Sequence, residues 1–508
     1  MDNAISVGGG GASQVEPQWL GLKLANRHGL VAGATGTGKT ITMQVLAESF
    51  SNAGVPVFVT DIKGDVSGMA LEGQDKGWQK KRAERIELES FQFQATPVIF
   101  WDFFGEFGHP VRATVSEVGP FLLSRMLDLT EAQEGVINIA FKLSDEEGLP
   151  LLDLKDLRAM LSFLGEHRAE ISRLYGNVST ASIGAIQRKL LVLENQGATP
   201  FFAEPALEFA DLMRTAPDGR GYVSILHAER LMRTPQLYAT FMLWFLSELF
   251  EELPEVGNPE KPVLVFFFDE AHLLFKGAPA SLLEKIEQVA RLIRSKGVGV
   301  YFVTQNPDDV PDSVLSQLGN RVQHALRAFT ARDQQALKKA AQTYRPNPRF
   351  DIAESIRDVG VGEAITSFLQ GKGEPGVAER TLIRPPGSGV GPLEATARTT
   401  IMARSPVAGK YDQMVDRDSA HEMLARRAEA AASQAQAKQE PKQEGSAATQ
   451  TQDASAKPAG GSSGGSGGSS RRGDSVIEAF FKSFARQLGT RSGRALIRGI
   501  LGSLMKGR

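Results

Sequence analysis

Cysteine is missing from all 508 residues. That absence excludes disulfides, zinc-thiolate sites, iron–sulfur clusters and cysteine catalysis. Also missing is any apolar run able to span a bilayer. The most apolar stretches, FMLWFLSELF (241–250) and VLVFFFDEAHLLF (263–275), are too short or too charged. The N-terminal MDNAISVGGGGASQVEP has no basic start and no apolar h-region, so no secretory signal is expected and a cytoplasmic protein is. Nor is there a large excess of charge: the net is −2, so any nucleic-acid-binding surface must be local. What remains is ordinary globular composition, 42% hydrophobic and 23% charged, enough to bury a large core.

Residues 1–19, with their four-glycine run, read as a flexible lead-in. Short apolar runs then read as strands: GLVAGA (29–34), VPVFVTDI (55–62), TPVIFWDF (96–103), YVSILHA (222–228), PVLVFFFDE (262–270), GVGVYFVTQ (297–305), RVQHALRA (321–328) and EAITSFL (363–369). Several are apolar on both faces and separated by helical patterns, as in parallel strands buried between helix layers. The expected fold is α/β: a RecA-like P-loop NTPase core with a mostly parallel sheet, formed by residues 20–112 and 216–400. Residues 113–215 read as a helical insertion and 401–425 as a helical extension. The Ala/Gln-rich, then Gly/Ser-rich stretch 426–472 reads as a disordered linker, with its start open to helix. Residues 473–508 read as a basic amphipathic helical tail. From Arg471 onward nine Lys/Arg stand against two Asp/Glu. A membrane surface, DNA or a protein partner met through 475–508, or packing back on the core, all fit that pattern.

The segment Gly33, Ala34, Thr35, Gly36, Thr37, Gly38, Lys39 and Thr40 fits G-x-x-x-x-G-K-[ST]. Glycines let successive backbone N–H groups point at phosphate oxygens, and the following helix adds its N-terminal dipole. Lys39 would reach the β- and γ-phosphates and the Thr40 hydroxyl would ligate Mg²⁺, with ATP as the nucleotide. An apolar strand precedes the loop, and Met43, Leu46, Ala47 and Phe50 recur at helical spacing after it. Asp269 and Glu270 end a very apolar strand. Asp269 would hold Mg²⁺ through water and Glu270 would polarise the attacking water, the bland alternative being a helix-capping pair. A third strand ends in Thr304-Gln305-Asn306-Pro307, where the Gln305 amide could sense the γ-phosphate or simply sit in a turn. An arginine finger supplied to a neighbouring subunit could come from Arg291, Arg294, Arg321 or Arg327, with Arg321 favoured and Arg294 next, the bland alternative for any one of them being a surface ion pair.

The chain resembles the HerA/FtsK superfamily of hexameric motor ATPases, in particular the HerA-like helicase branch. The residues that carry the resemblance are GATGTGKT (33–40), VTDIKGD (59–65), FFFDEAHLLF (266–275) and ARLIRSKGVGVYFVTQNPDDVPDSVLSQLGNRVQHALR (290–327), in that order. The resemblance covers roughly residues 15–400. It implies a homo-oligomer, a hexameric ring, with ATP at subunit interfaces and DNA translocated through a central pore. By the family pattern Gln305 matches the sensor amide and Arg321 the arginine region. Only about 32 residues precede the phosphate loop. The N-terminal β-barrel that docks a nuclease is therefore expected to be missing, which makes a nuclease partner doubtful. Lys63 and Asp65 could line the site or the pore. A secretion- or conjugation-type ATPase acting on another polymer or at the membrane, and an NTP-dependent switch or scaffold, are the alternatives.

Overall fold

The computed structural model describes residues 3–437 except 90, 277–279 and 329. The expected tail, and the linker beyond residue 437, lie outside the described residues. The chain divides into two units, Met1–Glu422 and Met423–Arg508. The second is described only as the remainder of the helix Ala420–Ala437.

The first unit opens with strands β1 (Ala4–Gly10) and β2 (Glu16–Gly21). Next come β3 (Gly29–Ala32), helix α1 (Lys39–Asn52), β4 (Val57–Asp61), α2 (Gln79–Arg85), β5 (Val98–Asp102) and the short β6 (His109–Pro110). Five helices follow: α3 (Val115–Met126), α4 (Glu131–Glu147), α5 (Leu154–Glu166), α6 (Arg168–Tyr175) and α7 (Thr180–Asn195). The chain returns to the sheet with β7 (Val223–His227), α8 (Pro235–Glu252), β8 (Leu264–Phe268), β9 (Val298–Thr304), β10 (Asn320–Gln323) and β11 (Glu363–Ser367). A two-stranded ribbon, β12 (Leu369–Gln370) with β13 (Glu374–Pro375), precedes β14 (Glu379–Ile383). No described helix is long and apolar enough to cross a membrane.

Twelve strands form one sheet in the order β2-β1-β14-β11-β10-β3-β9-β8-β4-β7-β5-β6. From β10 to β6 every neighbouring pair is parallel. From β10 to β2 every pair is antiparallel. Strand alternation explains the layers. On β8, Phe267 turns to Phe50 of α1, with ring centroids 6.4 Å apart, and Phe266 turns to Phe245 of α8 at 5.6 Å. The two helices thus cover opposite faces, and the strands between them are buried on both sides. All eight strands read from the sequence are present. Because β3, β4, β8 and β9 are parallel neighbours, their C-terminal ends open at one edge of the sheet, where α/β folds place their ligands.

Two expectations need correction. The flexible lead-in read at 1–19 is overturned over its described residues, 3–19: β1 is an interior strand between β14 and β2. Its glycines serve close packing. A Cβ on Gly8 would lie 2.2 Å from the Leu382 carbonyl oxygen, and one on Gly9 would lie 2.0 Å from that of Gln14. Residues 401–425 are not one helical extension. Helix ends at Ala403 and resumes at Ala420, and the chain between them is a strap with short-range bonds of its own, such as Ala408 N–H to the Ser405 carbonyl at 3.0 Å, that is also tied to distant parts of the unit. Tyr411 donates its hydroxyl to Asp211 at 2.6 Å, and Val415 N–H bonds the Glu204 carbonyl at 3.0 Å. Residues 426–437, the start of the stretch read as a linker and left open to helix, are helical, as Ala-rich sequence favours.

Candidate active site

The phosphate loop spans β3 and α1. Gly36 and Gly38 have φ of +78° and +115°, conformations that other residues adopt only at a cost. The loop is fastened from three sides. Gly33 N–H bonds the Thr304 carbonyl at the tip of β9 (3.2 Å), Ala34 N–H bonds the Ala325 carbonyl (2.8 Å), and Gly362 N–H bonds the Thr37 carbonyl (3.0 Å). Lys39 is buried and folds back onto its own loop, donating to the Gly33 carbonyl at 2.6 Å and the Ala34 carbonyl at 3.1 Å. Burial lowers the pKa of its ammonium, and the negative charge of Glu270 opposes that shift. Thr35 and Gly36 are exposed, Ala34, Gly38 and Thr40 half-buried, and Thr37 buried.

Behind the loop sits His324, which sequence reasoning missed. It is fully buried just beyond β10. Its Nδ1 lies 2.8 Å from the Glu363 carbonyl, so that nitrogen carries the proton. Its Nε2 then accepts from the Thr42 hydroxyl on α1 at 2.8 Å. Burial pushes its pKa down to about 4, so it is a neutral buttress at pH 7. A Cβ on Gly33 would lie 2.5 Å from the His324 Cβ, which is why the first loop position has no side chain. Nothing in the local sequence marks this histidine, because its partners stand 282 and 39 residues away.

Asp269 and Glu270 follow β8, two strands from the phosphate loop. Asp269 N–H donates to the Thr60 hydroxyl of β4 at 3.0 Å, and Asp269 Oδ1 accepts from Glu270 N–H at 2.9 Å. Its other oxygen, Oδ2, is buried and has no hydrogen-bond partner among the described residues. Burial pushes the Asp269 pKa up to about 7, and the neighbouring Glu270 charge adds to the shift. An orphaned, desolvated carboxylate oxygen suits a hard cation, and Asp269 with the Thr40 hydroxyl offers the oxygen donors Mg²⁺ prefers.

Glu270 has φ of +45°, unusual for a residue with a side chain. Three side chains surround its carboxylate: Lys63 Nζ at 2.6 Å, His272 Nδ1 at 3.3 Å and Gln305 Nε2 at 3.4 Å. Burial alone would raise its pKa, but the bond to Lys63 and the Lys63 charge override it and hold the group below the ordinary range. The second-strand motif therefore contributes Lys63 to this cluster. Asp61, at the end of β4, shapes the Lys63 loop by accepting from Gly64 N–H (2.8 Å) and Val66 N–H (3.3 Å). Burial raises its pKa to about 7, with the Asp65 charge adding to the effect.

The structure brings Lys39, Asp269, Glu270 and Gln305 to one edge of the sheet. Within one chain it does not bring Arg321 there. That guanidinium donates to the Leu318 carbonyl at 3.0 Å and the Leu315 carbonyl at 3.1 Å. Arg294 lies in the turn before β9, at the opposite end of that strand from Thr304, and Arg291 is exposed on the preceding helix. Arg327 lines a cleft of about 350 Å³ with Ala34, Thr35, Gln305 and Asn306.

The sequence matches the family described as "Helicase HerA-like C-terminal" over residues 10–508. A probable helicase, MJECL08 of Methanocaldococcus jannaschii, is 29% identical over 124 residues, 24% of this chain and 22% of that protein. The DNA double-strand break repair helicase HerA of Pyrococcus furiosus is 26% identical over 121 residues, 24% of this chain and 20% of that protein. The matched segment thus spans about a fifth of the length of these relatives. Among solved structures, the bacterial conjugative coupling protein TrwBdeltaN70 is 18% identical, covering 76% of this chain and 92% of that one with a TM-score of 0.45. VirB4 of Thermoanaerobacter pseudethanolicus is 13% identical, covering 75% of this chain and 96% of that one with a TM-score of 0.46. On the family match, and with the phosphate loop and the acidic pair meeting at one sheet edge, the chain belongs to the HerA-like helicase C-terminal family, within the HerA/FtsK superfamily of P-loop ATPases.

Proposed function

We propose that this protein is a cytoplasmic, ATP-hydrolysing ring motor that translocates on DNA or unwinds it. The observation that carries the reading is the convergence of Lys39, which opens α1 after the loop from β3, with Asp269 and Glu270 just beyond β8, and of Gln305 just beyond β9, which reaches the Glu270 carboxylate. In this reading residues 20–112 and 216–400, joined by β1 and β2, are the motor core, and residues 113–215 are an insertion.

The backbone N–H groups of residues 33–40 cradle the phosphates, and Lys39 leaves its carbonyl partners to bind the β- and γ-phosphate oxygens. Thr40 and Asp269 would hold Mg²⁺, which would supply charge neutralisation on the phosphates. Glu270 orients the attacking water and takes its proton, and Gln305 positions the water or the γ-phosphate. In a homo-oligomeric ring, a hexamer by the superfamily pattern, Arg321 of an adjoining subunit would meet the γ-phosphate, where an arginine offsets transition-state charge.

Turnover of Mg-ATP measured against single- and double-stranded DNA, with particle mass measured in the same samples, tests the reading. DNA is expected to raise turnover, and the stimulation is expected to shrink as salt rises, because phosphate contacts release counterions. Turnover indifferent to every DNA form, from a particle that stays monomeric, would overturn the motor assignment.

A further inference from the structure

Lys63 stands at the tip of the loop after β4, and its side chain is 42% exposed while its ion-pair partner Glu270 is 5% exposed. The outward half of this pair is therefore the lysine. The loop is fastened on both sides of that tip. Asp61 accepts from Gly64 N–H and Val66 N–H, the Ser67 hydroxyl accepts from Leu393 N–H at 2.9 Å, and Gly68 N–H bonds the Gly391 carbonyl at 2.9 Å. Lys63 can change rotamer without refolding anything, whereas Glu270 sits on a constrained backbone between Asp269 and Ala271, whose N–H is tied to the Val303 carbonyl at 2.8 Å. A general base must offer a lone pair to water. Here the shortest contact to the carboxylate, at 2.6 Å, is a cation.

We propose that Lys63 is a restraint on Glu270, released when a phosphodiester oxygen from nucleic acid draws the ammonium outward. This inference rests on the DNA-dependent ATPase reading. An approaching polyanion meets the exposed ammonium first and competes for a point charge that makes no directional demand on its partner. Departure of Lys63 leaves His272 and Gln305 beside Glu270 and opens to the attacking water the carboxylate lone pair that the ammonium covered at 2.6 Å. Nucleic-acid contact would thus switch on proton abstraction at a site it does not touch. Lys63 acts through Glu270 and is a positioning residue.

Lys63→Met in the full chain, assayed for Mg-ATP turnover with and without duplex DNA, tests the inference. The variant is expected to raise the DNA-free kcat threefold or more with KM for ATP unchanged, and to lose most DNA stimulation. A fall in turnover with a raised KM for ATP would make Lys63 a nucleotide ligand and overturn the restraint, as would an unchanged DNA-free kcat. Wild-type protein and Glu270→Gln run alongside. If the wild type turns over and Glu270→Gln does not, a failure of Lys63→Met sinks this inference alone. A wild type without turnover refutes the ATPase reading and the restraint with it.

Discussion

Glu270→Gln is expected to lower Mg-ATP turnover by about 10²–10⁴-fold, the usual contribution of a positioned general base, while nucleotide binding survives. The amide keeps the shape of the carboxylate and can still meet Gln305 and His272, but it cannot take a proton from water. Asp269 beside it has one oxygen engaged by the Glu270 N–H, and its remaining oxygen is the one suited to the cation. The comparison is made by steady-state turnover alongside binding of a non-hydrolysable ATP analogue. A variant that binds the analogue and hydrolyses ATP within about threefold of wild type would remove Glu270 from the chemistry.

Asp269→Asn carries the second large effect, and it has two opposite signs. Loss of the carboxylate is expected to abolish the Mg²⁺-dependent part of nucleotide affinity. The nucleotide-free protein, in contrast, is expected to become more stable above neutral pH. The folded-state pKa of Asp269 is raised to about 7 against an ordinary 3.8, so the fold prefers the protonated form. The charged form therefore destabilises the protein above pH 7, and the penalty fades as pH falls from 7 towards 4. Three units correspond to about 4 kcal/mol. The amide NH₂ that replaces Oδ2 has no acceptor waiting, which takes back about 1–3 kcal/mol. A net gain of about 1–3 kcal/mol at pH 8, shrinking towards pH 4, is the outcome to look for in denaturant titrations at the two pH values. Asp61 and the buried histidines titrate in the same range, so only the difference between variant and wild type is diagnostic. An equally large gain at pH 4, or a loss at pH 8, would mean that the buried charge is not what strains the site.

How much of this could be read from the sequence follows from how local each signal is. The phosphate loop and the Asp269-Glu270 pair are contiguous, and the strands leading to them are apolar on both faces, so Phe266, Phe267 and Phe268 mark β8 without any knowledge of their neighbours. β1 could not be read that way. Its glycines look like a flexible tether until β14 and the Gln14 turn are seen pressing on the positions where side chains would stand. β14, ERTLI, begins with two charged residues and offers no two-faced apolar run. The strap between Ala403 and Ala420 was illegible for a related reason. Its long-range anchors are Asp211 and Glu204, each about 200 residues away in the chain. The same applies within the site. Lys63 acquires its meaning only because β4 lies against β8, and His324 only because β10 lies against β3. Arg321, assigned on a resemblance, concerns a surface between subunits that a single chain does not contain.

The central claim, that residues 33–40 and the Asp269-Glu270 pair grip one metal-bound triphosphate, is tested most directly by calorimetric titration of a non-hydrolysable ATP analogue into wild-type protein and Lys39→Ala, each with Mg²⁺ and with a chelator. Wild type with Mg²⁺ is predicted to bind, and both removal of the metal and removal of the ammonium are predicted to weaken binding by about 10–100-fold, the 1.5–3 kcal/mol typical of hydrogen bonds to a charged group. Equal affinity in all four titrations, or no binding by the wild type, would contradict it.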